Sequence, residues 1–328
     1  MPAPDRLHVG ILLPTREQAI TGTTDARSLI DFATEAEQLG FDSLWAGDSL
    51  IARPRLDPLV VLSAAASATR RIGLGTAALT PALRHPLIGA NLINSLDHIS
   101  GGRLTLGLGS GFPIPETEQE FAAAGASYSS RAGRLDDLVG LWRQAWQDQS
   151  EGTHATYTGR YTQAQHLDRL LPAARLGGPP LWLAGSDTPG VLRRVARHYD
   201  GWLPFLPSTT AYANAWQRIQ DLLAQEGRPA DAVVPGLYAT INVGADESAA
   251  EAELDHYIQR YYRRSLSEMA PIQAYCWGSA ERCTEWLQGY VAAGARHIIL
   301  RIGSLTPEAH LKDIARTVLA ALRPTEAP

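Results

Sequence analysis

Lysine is almost missing from this 328-residue chain: Lys312 is the only one among 29 basic residues. Schiff-base chemistry would therefore have to rest on Lys312, which falls in a terminal helical pattern. Cysteine is nearly as scarce. Cys276 and Cys283 cannot build a disulfide framework and are not spaced as CxxC, so a cytosolic chain is expected. No HxH, HExxH or Cys/His cluster offers a metal site. No GxxxxGK[ST] cradles a nucleotide triphosphate, no GxSxG marks a nucleophile elbow, and no GxGxxG follows the first strand. No uninterrupted apolar run reaches 18 residues, so no helix is expected to span a membrane. The start, MPAPDRLHVGILLP, lacks a basic leader, a long apolar region and a small-residue cleavage site, and reads as a first strand. The formal net charge of −5 gives no electrostatic reason to expect nucleic acid or an anionic membrane as partner. A local anion site needs no such excess. The nine histidines are scattered, and His154, His166 and His256 read as surface residues.

What is present is alternation. Short β-branched or leucine-rich runs exchange with longer amphipathic stretches, as a parallel sheet with crossover helices requires. Strands are predicted at 7–13, 43–46, 72–79, 103–108, 181–184, 201–204, 233–243 and 297–302. Helices are predicted at 25–39, 58–69, 85–99, 131–146, 189–197, 211–226, 247–262, 281–293 and 307–322. Eight strand–helix units without a break in composition predict one domain over 1–328. Parallel strands must be covered on both faces or close on themselves, so the fold expected is an α/β, (β/α)8 TIM barrel. An open doubly wound sheet is the competing topology. Insertions are expected after strand four, around 110–130, and before strand five, over 148–179. The latter is too long for an ordinary connection and is expected to act as a lid or binding loop. The segment after Arg323 is expected to be disordered. No repeat with a period of 20–50 residues is visible.

Four segments taken together resemble the luciferase-like monooxygenase family: FDSLWAGDS (41–49), RIGLGTAALTPALRHP (71–86), LINSLDHISGGRLTLGLGSGF (92–112) and LWLAGSDTPGVLRRVARHYDGWL (181–203). The resemblance covers the whole chain and is tightest over 41–146 and 181–203. It implies a luciferase-like barrel whose cofactor sits at the C-terminal mouth. Thr76-Ala77-Ala78 matches the place where the family bulges strand three and often holds a non-prolyl cis peptide beneath the flavin ring; two methyl side chains let a ring approach the backbone. Gly185-Ser186 matches the cofactor-phosphate position, where helix-start N–H groups and a hydroxyl suit a dianion; a Ser/Asp helix cap is the simpler alternative. Arg131 matches a phosphate-binding arginine and otherwise is a solvated surface residue. Gly109 and Ser110 follow strand four in a loop that admits a phosphate or ring, with Ser110 where luciferase has a second phosphate arginine.

After strand two, relatives often carry a histidine. Here Trp45-Ala46-Gly47-Asp48-Ser49 has none. Asp48 is the titratable substitute for a catalytic base, or a cap of the following turn. Trp45 is a candidate substrate-pocket residue, or core. The aromatic run 257–262 reads as a helix face or subunit contact. The resemblance implies reduced FMN and oxygen acting on a small organic substrate, with a flavin reductase as supplier and a homodimer as the assembly. Two alternatives stay open: hydride transfer with deazaflavin F420, and a flavin-binding barrel without catalysis. A sugar or phosphate-ester barrel enzyme would need paired carboxylates at strand ends, and strands three and four offer no partner for Asp48.

Overall fold

The computed structural model describes residues 6–147 and 156–323. Among the described residues eleven strands form: β1 (His8–Leu12), β2 (Ser43–Ala46), β3 (Gly73–Leu79), β4 (Leu104–Leu108), β5 (Thr156–Thr158), β6 (Gln163–Gln165), β7 (Leu181–Ala184), β8 (Gly201–Leu203), β9 (Val234–Val243), β10 (Tyr275–Gly278) and β11 (His297–Ile302). Eight of them, β1-β2-β3-β4-β7-β8-β9-β11, pair in parallel and close on themselves, because β11 pairs with β1 and β8 pairs with β9. These are the eight strands the hydrophobic pattern predicts. Closure explains why they are short and almost fully buried: helices cover the outside and side chains fill the inside.

Several elements escape the pattern, three of them near the barrel's strands and loops. β10 adds to the C-terminal half of β9, on the edge that β8 covers lower down. Its four residues, YCWG, are too few to show a period. The predicted helix 25–39 is the helix Ala26–Gln38, capped by Asp25 accepting from the N–H groups of Arg27 and Ser28; a separate helix, Thr15–Thr21, precedes it. Within the expected insertion after β4, residues Pro115–Ala123 are helical.

The long connection before β7 is a correction. It follows the helix Arg131–Ala145 and leads into a strand, so it runs from helix to strand and returns the chain to the N-terminal face, away from a barrel's active mouth. Its described part carries the β5–β6 hairpin and ties itself to the barrel's outside. Tyr157 Oη donates to Asp137 O at 2.8 Å, Asn94 donates to Leu171 O, and Arg175 donates to both carboxylate oxygens of Asp97. It lends no residue to the mouth cavity among the described residues. Residues 148–155, with His154, and the segment after Arg323 lie outside the described residues.

The LDxxSxGR motif builds the lower rim. Arg103 donates to Ser100 O, Thr69 Oγ1, Ile72 O and Ala66 O, binding two helix ends to the start of β3. Gly101, at φ 66°, ends the helix Pro86–Ser100 in the left-handed conformation that glycine adopts without cost.

Candidate active site

The barrel interior is layered. At its lower end His297, Trp45 and Trp182 meet edge-to-face and tilted, with ring centroids 5.0–5.5 Å apart. The room for them comes from glycines: a methyl built on Gly75 or Gly10 would collide with Trp45, and one on Gly201 with Trp182. Trp45 Nε1 donates to Ser43 Oγ at 2.8 Å. Burial and the neighbouring His8 push the His297 imidazole down to about 3, so it is held neutral. Leu12, Ala77, Leu203 and Ile299 complete this apolar plug.

Above the plug, β3 bulges. Its register against β4 shifts between Thr76 and Leu79, and the Ala77–Ala78 peptide is cis. Thr76 points away, fully buried, its hydroxyl donating to Gly107 O at 2.8 Å. The two alanines turn their backbone and methyl groups into a cavity of about 560 Å³, whose floor and walls also include Gly47, Gly109, Ala184 and Gly185. Side chains beyond a methyl are absent at all six positions. The result is a flat-walled slot of the size small-molecule sites usually have.

One end of the slot suits an anion. Gly185 and Ser186 follow β7 and lead into the helix Pro189–His198, whose first-turn N–H groups receive no cap from the Thr188 side chain. Arg131 lines the same cavity; Arg131 Nη1 donates to Tyr128 O, its guanidinium stacks on the Tyr128 ring at 4.0 Å, and its Nε is buried without a hydrogen-bond partner. Arg194 also reaches this wall, paired to Asp136 at 2.7 Å. These residues fit a planar cofactor carrying a phosphate: small residues leave a ring room, and an unpartnered buried N–H at the rim matches an anionic oxygen.

The other end is rich in arginine and tyrosine. Arg16, just past β1, and Arg53 and Arg55, past β2, converge on Tyr261 from the last turn of the helix Glu247–Tyr262. Glu120, on the Pro115–Ala123 helix, shapes the arginine loop. Its Oε1 accepts from the N–H groups of Leu50, Ile51 and Ala52 at 2.5–3.2 Å and from Ser49 Oγ.

Of the residues singled out from sequence, the structure gathers Asp48, Ala77, Ala78, Gly109, Ser110, Arg131, Gly185 and Ser186 around one cavity. Three do not take up the ligand-facing or catalytic role considered for them, and Trp45 follows the core alternative. Trp45 is 1% exposed and forms the plug under the seat, outside the substrate space. Thr76 supports β4 rather than facing a ligand. Asp48 lines the cavity but is spent as an acceptor: its Oδ2 accepts from Thr80 N at 2.9 Å and Arg84 Nη1 at 2.6 Å, and its Oδ1 from Arg84 Nη2 at 3.1 Å. Burial works against the Arg84 charge, yet Asp48 and Asp57 raise its pKa above the ordinary arginine value. Both Asp48 oxygens are therefore engaged by the protein's own donors rather than directed to a ligand.

Sequence reasoning missed Arg16, Arg53, Arg55, Arg194, Tyr261 and Tyr262. The first three lie just beyond the C-terminal ends of β1 and β2, the face where barrel chemistry collects, so their position was a usable signal. The tyrosines, read as a helix face or subunit contact, line the cavity instead. Among the described residues no cluster of His, Cys, Asp and Glu could hold a metal, and no helix is long and apolar enough to cross a membrane.

The family described as luciferase-like monooxygenase matches residues 7–297. An F420-dependent glucose-6-phosphate dehydrogenase of Kineococcus radiotolerans is 27% identical over 90% of this chain and 93% of that one. Two solved structures share the fold: an F420-dependent secondary alcohol dehydrogenase in complex with an F420–acetone adduct, with TM-score 0.78 and 16% identity over 97% of this chain and 99% of that one, and a monooxygenase from Streptomyces bottropensis, with TM-score 0.77 and 19% identity over 97% and 100%. The bulged seat at Ala77–Ala78 and the match across nine-tenths of the chain agree: this protein belongs to the luciferase-like monooxygenase family and is an oxidoreductase of its flavin- or F420-dependent kind.

Proposed function

We propose that the protein is an F420-dependent dehydrogenase or reductase that exchanges hydride with a small organic substrate. The observation that carries the reading is the slot itself: a methyl-lined seat at Ala77–Ala78 with an anion-binding end at Ser186 and Arg131. The similarity over nearly the full chain to an F420-dependent dehydrogenase favours the deazaflavin over FMN. Bound there, the cofactor would supply two-electron chemistry without oxygen. The chain's own residues do the rest. Gly47, Ala77, Ala78 and Gly109 admit the ring, Ser186 and Arg131 hold the phosphate, and the plug of Trp45 and Trp182 keeps water from the underside of the seat. The assembly in this reading is a homodimer, supported by an exposed apolar stripe on the helices Pro58–Ala68 and Pro86–Ser100.

The test is a fluorescence titration of the purified protein with F420 and with FMN. Saturable F420 binding with no FMN binding is expected. Tight FMN binding together with oxygen uptake, once a flavin reductase supplies reduced FMN, would return the protein to the monooxygenase reading. FMN binding without turnover across a substrate panel would leave a binding protein.

A further inference from the structure

The cavity holds a cationic cluster without a matching carboxylate. Arg16 lies against the Tyr261 ring at 4.1 Å, Arg53 at 4.6 Å and Arg55 at 5.8 Å, and Arg55 Nη2 donates to Tyr261 Oη at 3.0 Å. Arg53 Nε also donates to the Tyr261 carbonyl at 2.9 Å, which fixes the loop to the helix end. Among the described residues, none of these three arginines takes part in an ion pair. Arg16 is 8% exposed, and its Nε has no hydrogen-bond partner. A buried guanidinium without a counter-charge is costly, so this arrangement calls for an anion.

The nearby acids cannot supply it. Glu17 is buried, which lifts its pKa despite the hydrogen bond from Tyr257 and the charge of Arg16. Glu120 is committed to three backbone N–H groups and Asp48 to Arg84. The other tyrosines facing the cluster, Tyr238, Tyr257 and Tyr262, are pushed up by burial. Arg301, fully buried beside Tyr262, Nη1 to Oη 3.2 Å, adds a further positive charge from the β11 side.

We propose that Tyr261 is the proton-transfer residue of this cavity, a phenol poised by Arg16, Arg53 and Arg55 to give up and take back its proton beside the cofactor seat. The position is right for it. A methyl built on Gly47 would lie 3.4 Å from both Arg55 Nη1 and Ala77 O, so the arginine that binds the phenol also borders the seat. Burial opposes ionisation of Tyr261, but the three arginines outweigh it and bring the phenol down to about 8, within reach of neutral pH.

The proposal rests on the hydride-transfer reading. A bound deazaflavin would supply the hydride acceptor for oxidation of an alcohol, which leaves the hydroxyl proton for a group of the protein. The substrate O–H bond breaks, its proton passes to Tyr261 Oη, and the phenolate becomes a neutral phenol; carbonyl reduction runs the same transfer backwards. Tyr261 thus does the work for which Asp48 is unavailable.

The experiment is a pH titration of tyrosinate absorbance on the full-length, cofactor-free protein, beside Tyr261→Phe and Arg55→Met. The wild type is expected to ionise one of its eleven tyrosines near pH 8, ahead of the ordinary value of about 10. Tyr261→Phe should lose that step. Arg55→Met should move it upward, which reports on the cluster even if the first variant folds poorly. Tetranitromethane, which attacks tyrosinate, should nitrate Tyr261 first, and bound F420 should slow it. A wild type with no early step, or a step that survives in Tyr261→Phe, overturns the proposal. An intact step with no F420 binding would overturn the cofactor reading alone.

Discussion

At the C-terminal end of β2, Asp48 occupies the place where a base would be sought, yet both its oxygens are engaged by Arg84 and the Thr80 amide. Its side chain is 5% exposed and that of Arg84 14%. Removing it leaves a largely buried guanidinium with Asp57 as its remaining ionic partner and the Thr80 carbonyl as a long hydrogen-bond acceptor. Asp48→Ala should therefore cost about 3–5 kcal/mol of stability, read by urea unfolding, while the tyrosinate step of Tyr261 persists. An Asp48→Ala protein of wild-type stability would contradict the structural role. His297 sets a second residue-scale expectation. Its folded pKa of about 3 lies below the unfolded value of about 6.5, so the unfolded chain takes up the proton first. The stability tied to this residue is full above about pH 6.5 and falls by about 1.4 kcal/mol per pH unit as the pH drops toward 3. Denaturant midpoints compared between neutral and mildly acid pH should show a steeper loss for the wild type than for His297→Gln. Parallel losses would mean that other groups carry the acid sensitivity.

At the scale of elements, β3 is the decisive one. Its first half pairs regularly with β2 and β4, and its second half slips register so that Ala77 and Ala78 face the cavity. The end of the neighbouring strand is close: a methyl on Gly109 would lie 3.2 Å from the Ala78 methyl. Ala78→Leu would project into the slot rather than into the core. Affinity for F420 or FMN, whichever binds, should fall at least tenfold, about 1.4 kcal/mol, with little change in thermal unfolding. Unchanged affinity would place the ring elsewhere. The sequence signature of the family divides along the same line. The rIxLGT stretch builds this seat, whereas the LDxxSxGR stretch, through Arg103, Ser100 and Asp97, clamps the opposite rim. Both identify the family, and only the first touches the chemistry.

For the whole molecule, ring closure brings β11 beside β1 and so draws together groups from the entire chain: Arg16 from its beginning, Arg53 and Arg55 from its first third, Tyr261 from its last. The same closure turns the helices outward, where Val60, Ile88, Leu92 and Ile99 are 42–66% exposed on two neighbouring helices. Specific, stable interfaces bury about 800 Å² per partner or more, and homodimers centre them on such apolar patches. Light scattering should give twice the chain mass for the wild type and a shift toward the single chain for Leu92→Glu. A wild-type protein running as a single chain at micromolar concentration would dismiss the dimer.

The linear sequence determined the alternation of short apolar strands with amphipathic helices, and with it the eight strands of the ring, because burial periodicity and turn residues are local. The resemblance to the luciferase-like family also pointed to the seat, because the Thr76-Ala77-Ala78 stretch that carries it is contiguous in the chain. Which face the long connection before β7 takes, that Trp45 plugs the barrel instead of lining the pocket, and that Asp48 is consumed by Arg84 while Tyr261 is surrounded by arginines were decided by tertiary structure. A side chain's chemistry depends on partners thirty to two hundred residues away, and only closure of the barrel brings those partners within hydrogen-bonding distance.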